Sequence, residues 1–136
     1  MVKIRRSQTT RHDRLRKAAI QSNKHLNAII HRCGGTDKEQ IAGKDRNTYA
    51  TVADMNNIAV KGTMAHVIQL TQGVKQTRDA YSDVELARIA LLEMLEAQVL
   101  EDRKPQGHAE IIRLVDREIT NVIPSLLKQT RKSGRR

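Results

Sequence analysis

The side chains of this 136-residue chain that could act as ligands, nucleophiles or acid–base groups are few and poorly spaced for such work. The histidines are His12, His25, His31, His66 and His108, and the one cysteine is Cys33. A helical metal site needs two ligands four apart on one face, or a Cys-x-x-Cys pair, and neither spacing occurs. His25 and His31, six apart, point in different directions on a helix. His66 reads as a satisfied core histidine. Cys33 follows His31 by two residues, and residues two apart on a helix do not face each other, so no nucleophile–base pair forms there. Gly34-Gly35 and Gly43-Lys44 lack the flanking pattern of a phosphate-binding loop. The acids Asp83, Glu85, Glu93, Glu96, Glu101 and Asp102 could pass for catalytic carboxylates. Glu85, Glu93 and Glu96 share one narrow side of a helix, which reads as a solvated face. Alternatively these acids meet the basic first helix of the same or a neighbouring subunit, where exposed pairs add little stability each. The expectation is no catalytic residue, no metal, no cofactor and no enzymatic activity.

The chemistry that the sequence does support is anion binding. Residues 1–24 carry eight Lys or Arg against Asp13 alone, a net +7, and the last ten residues carry five and no acid. The whole chain is +10, so the 102 residues between net −2. Charge segregated to the ends suggests an anionic partner held there, and nucleic acid is the commonest. Within the first helix, Arg14, Lys17, Gln21, Lys24, Ala28 and Arg32 fall on one outward stripe, with His25 at its edge. That stripe spans about 27 Å at the helical rise. After Asp13 it meets no acid until Asp37. The expected contacts are Lys3, Arg5, Arg6 and Arg11 from the arm and helix start; Arg14, Lys17, Lys24 and Arg32 from the stripe; and Lys128, Arg131, Lys132, Arg135 and Arg136 from the tail. Tyr49 and Tyr81 are the only aromatics. That argues against base stacking and for backbone contacts to duplex, with DNA ahead of RNA.

The elements that must position these residues follow from apolar spacing. Residues 1–8 read as a basic arm. Leu15, Ala19, Ser22, Leu26, Ile29 and Cys33 recur at steps of three and four, with Ile30 alongside, which predicts a helix over 9–33. Thr10 with Asp13 would cap its start and Gly34-Gly35 would end it. Thr36 and Glu39 predict a short helical turn ending near Gly43, followed by a loop to residue 48. Over 49–76 a helical stripe of Val52, Met55, Ala59, Thr63, His66, Leu70 and Val74 competes with a hairpin turning at Lys61-Gly62. Helix broken near Gly62 is the preferred reading. Residues 51–68 have the outline of a helix-turn-helix. The register with Ala53 at its small position puts Asn57 at the turn and makes Thr63 and His66 core positions, so the recognition element stays unassigned.

Ser82 and Glu85 form a capping box for a helix running to about Arg103, stopped by Lys104-Pro105-Gln106-Gly107. Its apolar arc covers about two-thirds of the circumference, more than a surface helix needs. The expected consequence is a homo-oligomer interface at Leu91, Leu92, Leu95 and Val99. A last helix spans 108–129, burying Ile111, Ile112, Val115, Ile119, Val122, Ile123 and Leu126, with Pro124 expected to kink or end it. From 128 onward a basic tail, mobile when unbound, is expected.

A core of Leu, Ile, Val, Met and Ala suits packed helices. The fold expected is all-α, a bundle of three or four main helices (9–127) between a basic arm and a basic tail. The alternative is α+β with a hairpin in 49–76. One cysteine gives no sign of an oxidising compartment, and no apolar run reaches membrane-spanning length, so a cytoplasmic chain is expected. The expected function is a nucleic-acid-binding accessory protein. The runner-up is a structural or protein-interaction subunit of a larger assembly, docking on an acidic partner.

Overall fold

The computed structural model describes the backbone of residues 10–41, 44–63 and 65–134, and the side chains of these except at 39–46, 65–66 and 124–134. Helix α1 (Arg11–Arg32) starts as expected, with the Asp13 amide donating to Thr10 Oγ1 at 3.0 Å. It ends at Cys33 and Gly34, whose φ of +85° is the left-handed conformation that glycine supplies without strain. Gly35 then passes so close to α1 that a Cβ there would lie 2.3 Å from Ile30 Cγ2.

The helical turn expected over 36–43 is not formed. Strands β1 (Glu39–Ile41) and β2 (Lys44–Arg46) pair antiparallel instead, with Glu39 opposite Arg46. The competing partner is Thr48. Its amide donates to the Thr36 carbonyl at 2.7 Å, and its Oγ1 accepts from the Thr36 amide at 3.0 Å. These bonds draw the two ends of the segment together, which favours a hairpin over a helical turn.

Between 49 and 76 the described residues form two helices and no hairpin. Helix α2 (Thr48–Lys61) is capped by Asn47 and ends at Gly62, φ +89°, and α3 (Ala65–Gln72) follows. The break lies where the glycine predicts it. The chain redirects there, so α3 does not prolong the stripe of α2. It buries Ile68 and leaves Leu70 80% exposed, against the expectation. Asn57 is not at a turn. It is buried in α2 and accepts a hydrogen bond from the Tyr81 hydroxyl.

A 3-10 turn (Thr77–Ala80) leads into α4 (Asp83–Arg103). Its capping box is complete: the Glu85 amide donates to Ser82 Oγ at 3.2 Å and the Ser82 amide to Glu85 Oε1 at 2.9 Å. Helix α5 (His108–Gly134) does not end at Pro124, and it crosses the boundary drawn at 128 without a break, where a mobile tail was expected. Proline removes one ladder hydrogen bond, and the helix continues despite that loss.

Side-chain bonds give the directions. His12 meets Asp83, Ser22 meets Glu93 and Cys33 meets the Leu100 carbonyl, so α1 and α4 run parallel. Asn56 meets Glu96 and Lys61 meets Glu85, so α2 runs antiparallel to α4. Helices α1 and α4 form the most extensive helix pair. One apolar cluster joins Leu26, Ile29, Ile30, Val52, Leu100, Ile111 and Val115; a second joins Ala19, Ile68, Tyr81, Leu86 and Ile89.

The largest departure from the sequence reading is the rotation of α4. The side bearing Glu85, Glu93 and Glu96 faces inward. Glu93 and Glu96 are fully buried, and Glu85 pairs with Lys61 Nζ at 3.0 Å. Polar groups on α1, α2 and the 3-10 turn make this possible. Glu93 accepts from Ser22 Oγ at 2.7 Å and Asn23 Nδ2 at 3.0 Å, and pairs with Arg78. Two of these acids, Glu93 and Asp83, do meet the first helix, as the alternative reading held, and within one chain: Asp83 pairs with Arg11 and His12. Asp79 of the 3-10 turn pairs with Arg16.

Glu96 has a different solution. Asn56 Nδ2 donates to its Oε1 at 2.8 Å, while Glu96 Oε2 and Asn56 Oδ1 are buried without partners. Burial first, then the negative charge of Glu93 and Glu118, pushes the Glu96 carboxyl well above the ordinary carboxylate range, with Asn56 opposing. Protonation of Glu96 would put a donor on this otherwise acceptor-only carboxylate. A folded-state pKa above the unfolded one gives stability that is complete below the ordinary carboxylate pKa and is lost as pH rises through the raised value. Glu96→Gln keeps the shape and cannot ionise. It should flatten that loss and gain about 1–3 kcal/mol over wild type at the alkaline end, the cost of an uncompensated buried polar group. Urea midpoints measured against pH for both proteins test this; parallel curves would refute it.

Candidate nucleic-acid interface

Helix α1 turns its apolar side, with Ala19, Ser22, Leu26 and Ile29, toward α4. The opposite side is thereby fixed toward solvent. All six predicted stripe positions, Arg14, Lys17, Gln21, Lys24, Ala28 and Arg32, are exposed. They lie within an arc of about 80° along five helical turns. Asp13 is the only acid on α1, and it sits in the first turn, where it complements the helix dipole. The stripe is therefore a band of four cations with no carboxylate of its own helix among them.

Two clefts flank the band. One of about 340 Å³ is bordered by Lys24, with Arg16, Asn23, Gln76 and Arg78 among its walls. The guanidinium of Arg16 is held by Asp79 and by Gln76 Oε1, and that of Arg78 by Glu93 and the Ala19 carbonyl. Another cleft, of about 230 Å³, lies beside Arg32, Cys33 and Lys104. Arg11 stays 75% exposed despite its 3.7 Å contact with Asp83. Lys3, Arg5, Arg6, Arg135 and Arg136 lie outside the described residues. Lys128, Arg131 and Lys132 sit on the helical backbone of α5, and their side chains lie outside the description. The structure thus brings together the four cations of the stripe.

The histidines are spread over the chain. His12 Nδ1 lies 2.8 Å from Asp83 and His108 Nδ1 2.9 Å from Thr48 Oγ1, while His31 lies 3.4 Å from the Tyr49 hydroxyl. The core position expected for His66 falls outside the described side chains. Among the described residues, no three His, Cys, Asp or Glu side chains gather as metal ligands. Cys33 is buried, and burial raises its thiol above the ordinary range, opposite to the shift of a reactive cysteine. No helix among the described residues is long and apolar enough to cross a membrane.

The expected interface residues on α4 divide. Leu91 is 43% exposed and Leu95 is half-buried. Leu92 is fully buried within the chain, and Val99 packs against the first apolar cluster. Arg16 and Arg78 were not distinguished from the other cations by sequence. Their roles come from acids more than a dozen residues away, which no local spacing reveals.

No known family profile matches the chain. Over 72 residues, 53% of its length, it is 28% identical to DNA damage response protein C of Deinococcus radiodurans. The match spans about a third of that relative, 31% of its length.

Proposed function

We propose that this chain is a non-enzymatic DNA-binding accessory protein, oligomeric, that holds duplex DNA by phosphate contacts from α1 and the basic ends. The observation that carries the reading is the exposed band of Arg14, Lys17, Lys24 and Arg32 on a helix whose one acid, Asp13, lies in its first turn. A band about 27 Å long matches several successive phosphates of a duplex backbone. The partial similarity to a DNA damage response protein supports DNA over other polyanions. The scarcity of aromatics supports backbone contact over base stacking.

Replacing Arg14, Lys17, Lys24 and Arg32 together by Ala tests it. These side chains are exposed, so the fold should survive, and affinity for a duplex of about 20 base pairs should drop about a hundred-fold or more at low salt. The control removes the same charge elsewhere, at the exposed Lys38, Lys75, Arg103 and Arg113. Lys61 is unsuitable as a control, since it pairs with Glu85 and lies over the Tyr81 ring. Equal weakening by the two quadruple variants, read by fluorescence anisotropy, would show that only net charge matters and that the band is not the interface.

A further inference from the structure

The inward rotation of the acidic side of α4 turns a different side outward. Val84, Ala87, Leu91, Met94, Gln98 and Glu101 are all exposed. They repeat at alternating steps of three and four, the spacing of a coiled-coil seam. The first four are apolar, and Val84, Leu91 and Met94 are 54%, 43% and 59% exposed. Nothing in the chain's own described residues covers this seam, which shares only Leu91 with the four interface residues expected from sequence.

We infer that this face pairs antiparallel with the same face of a second copy, making a twofold dimer through α4. The occupant is argued from the seam's own charges. Setting Leu91 against Met94 of the second copy, and Met94 against its Leu91, centres the pair on its apolar middle. In that register the flanking positions are fixed by heptad geometry. Arg88 then faces the second copy's Asp102, twice by symmetry. Leu95 meets its own copy near the axis. A parallel pairing would instead stack Glu101 on its copy in the seam, and would align the helix dipoles unfavourably. This deepens the oligomeric part of the proposed function and is independent of its DNA part.

The test uses nuclease-treated full-length protein with no nucleic acid present. Light scattering after gel filtration at tens of micromolar should give twice 15.4 kDa. Leu91→Glu and, separately, Met94→Glu should each give the monomer mass with unchanged far-ultraviolet circular dichroism, because both side chains face solvent within the chain. Two sites guard against one variant misfolding. Asp102→Arg should weaken dimerisation at least tenfold, and adding Arg88→Asp to the same chain should restore it. A wild-type monomer at this concentration, or a dimer that survives both Glu substitutions, would overturn the α4 interface. A dimer broken by the Glu substitutions but indifferent to the charge swap would overturn the antiparallel register. Failure of DNA binding with the dimer intact would instead count against the α1 band alone.

Discussion

Between 50 and 200 mM monovalent salt, the affinity of this protein for duplex DNA should fall about a thousand-fold. The four cations of the α1 band, with about two from the basic ends, would neutralise about six phosphates, and each neutralised phosphate releases most of one condensed counterion. The logarithm of the binding constant should then fall linearly with the logarithm of salt concentration, with a slope near minus five. The four-Ala variant of the band should lose most of that slope, while a variant outside the band should keep it. A shallow slope in the wild type would mean that few phosphates are contacted. The reading based on α1 would then fail however tight the binding at low salt.

Arg78→Met should destabilise the fold by about 3–5 kcal/mol, enough to unfold a marginal domain of this size. Glu93 is fully buried, and the Arg78 guanidinium reaches both of its carboxylate oxygens while also donating to the Ala19 carbonyl at 2.6 Å. Without Arg78 the carboxylate keeps only Ser22 and Asn23 as donors. The cost is that of an uncompensated buried charge, not of one lost contact. Replacing Arg78 and Glu93 together by Met should therefore cost less than Arg78→Met alone, because the charge goes with its partner. Urea denaturation of the wild type, Arg78→Met, Glu93→Met and the double variant decides it. A double variant as unstable as the sum of the two single variants would show that the pair does not act as a unit.

The sequence was most informative where the signal is local. Thr10 with Asp13, Ser82 with Glu85 and the glycines at 34 and 62 mark helix ends through bonds or backbone angles that a few neighbouring residues decide. The apolar spacing of α1 located its outward band correctly for the same reason: one face of that helix is plainly buried and its opposite must be wet. Helix α4 was misread because its polar side is satisfied by residues far away in the chain. Ser22, Asn23, Asn56 and Arg78 lie 15 to 71 residues from the acids they hold. Hydrophobic patterning treats a carboxylate as a surface marker and does not anticipate donors arriving from three other elements. The hairpin at 39–46 was missed for a related reason, since it depends on Thr48 reaching back to Thr36.

The inward polar side of α4 also acts as a lock on sliding. Aliphatic helices can shift against one another by a turn, about 5.4 Å, and still find apolar neighbours. Here such a shift would part Glu93 from Ser22 and Arg78, and Glu96 from Asn56, at the same moment. Helices α1 and α4 are therefore keyed to a single alignment. The cationic band on one and the apolar seam on the other keep a constant offset. Two chains joined through that seam would carry their cationic bands at one set separation, like marks on a ruler.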